Sequence, residues 1–152
     1  KQLFRNNGDL TFTEEEGKFG VAVNCYSYQW TFFDYDTDGD LDLLVVNYPP
    51  TKFSVQPSYF RYKMDTSNIE DSDHLYENVD GKFIDKTEAS GLSNFGLTIS
   101  ANVTDFNNDG LLDIYLCNDF GSPDFLYLNK GDKTFKEVSK EATNHTAMYS
   151  MG

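Results

Sequence analysis

Two acidic stretches, Asp34-Tyr-Asp-Thr-Asp-Gly-Asp-Leu-Asp42 and Asp105-Phe-Asn-Asn-Asp-Gly-Leu-Leu-Asp113, have the residue types and spacing of a cation site. Each puts an oxygen-bearing side chain at positions 1, 3, 5 and 9 and a glycine at position 6. Alternate residues converge on one centre, the glycine permits a sharp reversal, and the distal carboxylate closes the shell. Without a cation such a cluster is costly, because two unit charges about 4 Å apart repel by roughly 4 kcal/mol at an effective dielectric near 20. Every candidate donor is oxygen and none is thiolate or imidazole, which points to a hard cation, calcium first. Magnesium suits the loops less well, since it keeps its waters in preference to a full protein shell. An EF-hand is excluded: its bidentate glutamate at position 12 is replaced by Val45 and Leu116. Plain acidic hairpins without metal are the remaining alternative.

The 152 residues are enough for one domain with a real core. Twelve basic against 25 acidic residues give a net charge of −13, which argues against nucleic acid and anionic membrane surfaces as partners. Eight of the aspartates lie in the two loops, so bound divalent ions offset part of that charge. Aromatic residues make up 16% of the chain, which suits strands and not a disordered acidic tail. Cys25 and Cys117 fall at non-equivalent places and read as small buried residues, not as a disulfide pair. No apolar run is long enough to span a bilayer. The chain begins and ends in mid-pattern and reads as a piece of something longer.

The elements that must hold these loops repeat with them. Asp34 and Asp105 stand 71 residues apart, and Leu43-Leu-Val-Val-Asn47 corresponds to Ile114-Tyr-Leu-Cys-Asn118. A second unit occurs as Leu3-Phe-Arg-Asn6, Leu75-Tyr-Glu-Asn78 and Leu126-Tyr-Leu-Asn129. A glycine turn follows each copy, then Phe12, Phe83 or Phe135. Four strands per repeat are predicted. One enters the acidic loop (Gln29–Phe33, Thr98–Thr104), and one leaves it as an apolar run (Leu41–Asn47, Leu112–Asn118). The last two form a hairpin around the Gly-containing turn. Helical periodicity is confined to a weak stretch, Lys136–Ala142.

Four-stranded units repeating in this way indicate an all-β fold, with antiparallel blades of a β-propeller. Residues 1–19 read as the outer half of a blade, 20–90 and 91–142 as full blades, and 143–152 as the start of the next. About two and a half blades cannot close a ring, so a larger propeller or covering partners are expected. The first full blade carries an insertion, Tyr48–Asp73, in which Pro49, Pro50 and Pro57 exclude a central strand. Its Phe53, Tyr59, Phe60 and Tyr62 suit either contact with a partner or a fold-back over the blade itself.

These motifs resemble the FG-GAP/VCBS repeat family, which includes integrin α-subunit propellers, cartilage acidic protein and bacterial surface proteins. The resemblance rests on Phe33–Leu43, Asp105–Asp113, the Leu-Tyr-x-Asn units and the Gly-Asp-x-Thr-Phe turns at Gly8–Phe12 and Gly131–Phe135. It implies a seven-bladed, sometimes eight-bladed, propeller with Ca²⁺ in two of the loops present here. By that resemblance Asp34, Asp36, Asp38 and Asp42 supply side-chain oxygens and Asp40 its backbone carbonyl. In the second loop Asp105, Asn107, Asp109 and Asp113 supply side chains and Leu111 its carbonyl. Asn107 keeps an oxygen but drops a charge, so loop charge alone predicts tighter binding in the first loop.

Nothing in the chain predicts catalysis. His74 and His145 sit in unlike settings and read as surface or turn residues, and no Gly-x-Ser-x-Gly, Cys-x-x-Cys, phosphate loop or HExxH occurs. The expected role is a calcium-stabilised module for binding protein or glycan at an extracytoplasmic cell surface, including an outer-membrane assembly. Modest-affinity calcium loops fill where the ion is near millimolar, outside the cytoplasm. The alternative is part of a calcium-dependent, propeller-type polysaccharide lyase whose catalytic residues lie elsewhere.

Overall fold

The computed structural model describes residues 3–15, 17–21, 26–49, 58, 71–144 and 150. Cys25, His145, most of the Tyr48–Asp73 insertion with its four aromatics, and all but Asn144 and Ser150 of residues 143–152 that follow the helix described below lie outside the described residues. Ten strands are described. β1 (Phe4–Asn6) and β2 (Phe12–Glu14) form a two-stranded sheet. β3 (Tyr26–Phe33), β4 (Asp42–Tyr48), β5 (His74–Val79) and β6 (Lys82–Asp85) form a four-stranded antiparallel meander. β7 (Thr98–Thr104), β8 (Asp113–Asn118), β9 (Phe125–Asn129) and β10 (Phe135–Glu137) form a second. The all-β fold class and the four-stranded antiparallel units expected from the repeats are therefore present.

The two meanders repeat in detail. In each, the entering strand carries a bulge at the same place, between Ser27 and Gln29 in β3 and between Thr98 and Ser100 in β7. The second strands are apolar without alternation because both of their faces are covered. Leu44 and Val46 pack into a core shared with Ile114, Leu116, Ala101, Phe125 and Tyr127 of the other sheet. Leu43 and Val45 point the other way, against Tyr76, Trp30 and Phe83. Burying both faces of β4 removes the period of two that a half-exposed strand shows. Polar side chains also join the sheets: Gln29 Nε2 donates to the Ala101 carbonyl (2.9 Å) and Gln29 Oε1 accepts from the Ala101 N–H (3.0 Å).

Three expectations are corrected. The apolar strands begin at Asp42 and Asp113, one residue later than predicted, because these aspartates pair with the last residues of the entering strands. The helix is α1 (Ser139–Thr143), not Lys136–Ala142. Lys136 and Glu137 are held in β10 by pairing with Leu128 and Tyr127, and this ladder outweighs a weak helical preference. His74 is neither a surface nor a turn residue. It lies in β5, 7% exposed, with Nδ1 2.9 Å from Asp85 Oδ2 and its ring stacked on Tyr76. Cys117 is buried and free, packed as a small apolar residue. Among the described residues no helix is long and apolar enough to cross a membrane, which says nothing of membrane-spanning strands.

Candidate metal centre

The first acidic loop connects β3 to β4 and the second connects β7 to β8. Both reverse direction through left-handed residues at the fourth and sixth positions: Thr37 (φ 61°) and Gly39 (φ 95°), then Asn108 (φ 60°) and Gly110 (φ 88°). Glycine suits this conformation because it has no Cβ to clash. The folded-back loop aims its N–H groups at the carboxylates. Asp34 accepts from Asp38 and Gly39 (both 3.1 Å), and Asp38 accepts from Asp40 (3.1 Å). In the second loop Asp105 accepts from Asp109 (3.1 Å) and Gly110 (2.9 Å), and Asp109 accepts from Leu111 (2.9 Å). Asp36 Oδ1 and Asn107 Oδ1 accept from the residues at position 5, Asp38 and Asp109.

The ninth position closes each loop from below. Asp42 and Asp113 are fully buried. Asp42 takes the Tyr35 N–H on one oxygen (3.0 Å) and the Asn78 N–H on the other (2.8 Å). Asp113 takes the Phe106 N–H (2.9 Å) and the Asn129 N–H (2.8 Å) in the same way. Hydrogen bonds of this kind orient a ligand while leaving lone pairs for a metal.

In the first loop, oxygens of Asp34, Asp36 and Asp42 lie within 4.8 Å of one another. Asp38 is exposed at the rim, and Asp40 Oδ1 is buried without a hydrogen-bond partner. The electrostatics register the crowding. Burial, then repulsion from Asp38, Asp36 and Asp34, raises the Asp40 carboxyl above its ordinary value. Burial, with Asp36 and Asp40 adding to it against the two N–H bonds, pushes Asp42 up to about 6. Converging carboxylate oxygens, two raised carboxyls at Asp40 and Asp42 and an orphaned buried oxygen give the loop the donor chemistry to take a divalent cation.

The second loop keeps the backbone pattern but does not gather three carboxylates, because Asn107 stands where the first loop has Asp36. Asn107 Nδ2 instead donates to Asp109 Oδ2 (2.8 Å). The Gly110 N–H, with other loop N–H groups, holds Asp105 below the usual carboxylate range. Leu111 occupies the turn position that Asp40 has in the first loop.

Several residues that shape the centre are missed by reading the loops alone. Asn78 and Asn129, the asparagines of the Leu-Tyr-x-Asn units, brace the loops from β5 and β9. Asn78 Nδ2 donates to the Leu41 carbonyl (3.2 Å), and Asn129 Nδ2 donates to the carbonyls of Leu112 (3.2 Å) and Tyr35 (2.7 Å). The Tyr35 bond crosses from the second sheet to the first loop. Tyr35 is only 1% exposed and stacks on Phe135 of the second sheet, whereas its counterpart Phe106 is 44% exposed. The threefold recurrence of this asparagine was the available signal.

At the opposite end of each apolar strand is a second repeated device. The Asn47 and Asn118 N–H groups donate to Asp73 Oδ1 (2.7 Å) and Asp124 Oδ1 (2.8 Å). Their side-chain amides donate to the carbonyls of Ser72 and Pro123 (both 2.7 Å). Gly96 leaves room for this clasp: a Cβ there would stand 2.1 Å from Asn118 Oδ1.

Residues 105–151, from the second acidic loop onward, match the family model of the FG-GAP-like repeat. No curated protein matches the chain at a significant level. The chain thus carries a segment similar to an FG-GAP-like repeat, and its two four-stranded antiparallel sheets, each bearing an acidic loop between its first two strands, have the form of β-propeller blades.

Proposed function

We propose that this chain is a calcium-stabilised propeller module, without catalysis of its own, that binds a protein or glycan partner at an extracytoplasmic surface. The observation that carries the calcium reading is the convergence of Asp34, Asp36 and Asp42 oxygens within 4.8 Å, in a loop whose backbone hydrogen bonds recur around Asp105. The side chains of Asp34, Asp36, Asp38 and Asp42 and the Asp40 carbonyl would hold one ion. Those of Asp105, Asn107, Asp109 and Asp113, with the Leu111 carbonyl, would hold the other. A bound ion supplies charge compensation, and a full protein shell leaves no position for substrate, so its role is to pin the loop. The partner-binding part of the proposal assigns contact to loops on one face and to the Tyr48–Asp73 insertion. Placement outside the cytoplasm follows from the calcium such loops require.

Calcium titration calorimetry on the full chain tests the reading. Two binding events are expected. Asp38→Ala should remove one and Asp109→Ala the other, each by at least tenfold in affinity, since each takes away a charged ligand. Unchanged heats in both variants would refute the assignment. A turnover assay on acidic and neutral glycans should remain blank; calcium-dependent cleavage would replace the binding role with a lyase role.

A further inference from the structure

Lys133 reaches from the second blade into the first blade's loop. It stands in the turn between β9 and β10 with a left-handed backbone (φ 65°). Its ammonium lies 2.6 Å from Asp36 Oδ2 and 2.5 Å from Glu77 Oε1 on β5. Glu77 is buried, and Lys86 holds its other oxygen at 3.1 Å. The turn itself does not call for a cation. The matching turn, Gly8-Asp-Leu-Thr-Phe12, has Leu10 at the same place with the same left-handed backbone (φ 68°), and that leucine is 98% exposed.

Asp36 is one of the three carboxylates that converge in the first loop. An ammonium on Asp36 and a divalent ion among the three carboxylates draw on the same negative charge and repel each other. Glu77 offers the ammonium a second anchor, so it can leave Asp36 without losing every partner. We propose that Lys133 is a tethered cation that competes with Ca²⁺ for Asp36, so that the affinity of the first loop is set by the adjacent blade. This inference rests on the calcium reading above. Because the coupling is reciprocal, calcium in the loop weakens the Lys133–Asp36 clasp between the blades. The advantage in affinity that loop charge alone gives the first loop is partly cancelled while Lys133 is in place.

The test uses the full chain carrying Asp109→Ala, so that only the first loop titrates, with Ca²⁺ alone as the probe. Adding Lys133→Met keeps the aliphatic stem and removes the charge. It should tighten binding roughly two- to fivefold, the scale of a partly exposed ion pair. Lys133→Arg, which keeps the charge, should stay near the parent. In EDTA the Lys133→Met chain should melt below the parent, and saturating calcium should close that gap. A purely structural role lowers melting equally with and without the ion. An unchanged or weaker dissociation constant in Lys133→Met overturns the inference while leaving the calcium site standing. Absence of calcium heat from the Asp109→Ala parent, with heat retained by Asp38→Ala, removes the first site itself and the inference with it.

Discussion

Asp42→Ala is expected to abolish calcium binding at the first loop and to destabilise the chain by about 2–5 kcal/mol, the scale of leaving two buried or part-buried donors unpaired. The carboxylate is fully buried and is the only group described that takes both the Tyr35 and Asn78 N–H bonds. It thus ties the start of the loop to the third strand of its own blade as well as facing the ion. Urea unfolding at pH 7 in excess calcium and in EDTA measures both roles. The loss should be larger with calcium. Without the ion, burial and the neighbouring Asp36 and Asp40 already push the Asp42 carboxyl up to about 6, so removing it relieves some repulsion. Asp113→Ala should behave alike, through Phe106 and Asn129. A variant as stable as the parent in both conditions would show the brace to be idle.

The second large effect concerns Asp73, at the other end of the apolar strands. Its carboxyl is buried, which pushes it up to about 6 against the hydrogen bonds from Asn47 and Thr98. The proton inventory agrees. Thr98 Oγ1 lies 2.8 Å from Asp73 Oδ2 and 2.9 Å from Asn118 Oδ1, yet one hydroxyl has one proton to give. With Asp73 ionised, the Thr98 hydroxyl can serve only one of these two oxygens, and Asn94 adds a further hydrogen bond to Asp73. With Asp73 protonated, its O–H donates to Thr98 and Thr98 donates to Asn118, so the chain of bonds closes. A folded-state pKa above the unfolded value means the native state binds the proton more tightly between about pH 4 and about pH 6. The associated stability is present below pH 4 and lost as pH rises to about 6, about 3 kcal/mol for a shift of this size.

Asp73→Asn mimics the protonated form and should remove that slope, leaving the chain more stable than the parent at pH 7 and little changed at pH 4. Asp85 acts in the opposite sense. Burial pushes it up, but bonds from His74 and Thr87 outweigh this and hold it near about 2, so its stability is lost as pH falls below about 4. The difference between variant and parent, followed by unfolding at several pH values with calcium saturating, isolates Asp73. A parallel pair of profiles would rule out its titration as the cause.

Much of the arrangement was legible from residue order because it is repeated and local. The nine-residue spacing in Asp34–Asp42 and Asp105–Asp113, the apolar runs after them, and the Gly-containing turns each report backbone constraints that act over a few residues. The same local rules misled at His74 and Lys136. Each has a local context that suits a turn or a helix, but strand pairing decides its place, His74 with Val45 across a long connection and Lys136 with Leu128 across a hairpin. The continuous apolar run in β4 was readable as a strand, although the division of its side chains between two cores was not.

By itself the sequence determined the all-β class, the two acidic loops and the four-strand repeat, since these depend on side-chain type, charge and short-range spacing. Tertiary structure alone decided that Asp73 ends buried against Thr98 and which cation meets Asp36. Lys133 lies nearly a hundred residues from Asp36, and no local spacing announces their 2.6 Å contact. It exists because Leu44, Val46, Ile114 and Leu116 bury their shared faces and so bring one blade's turn onto the other blade's loop.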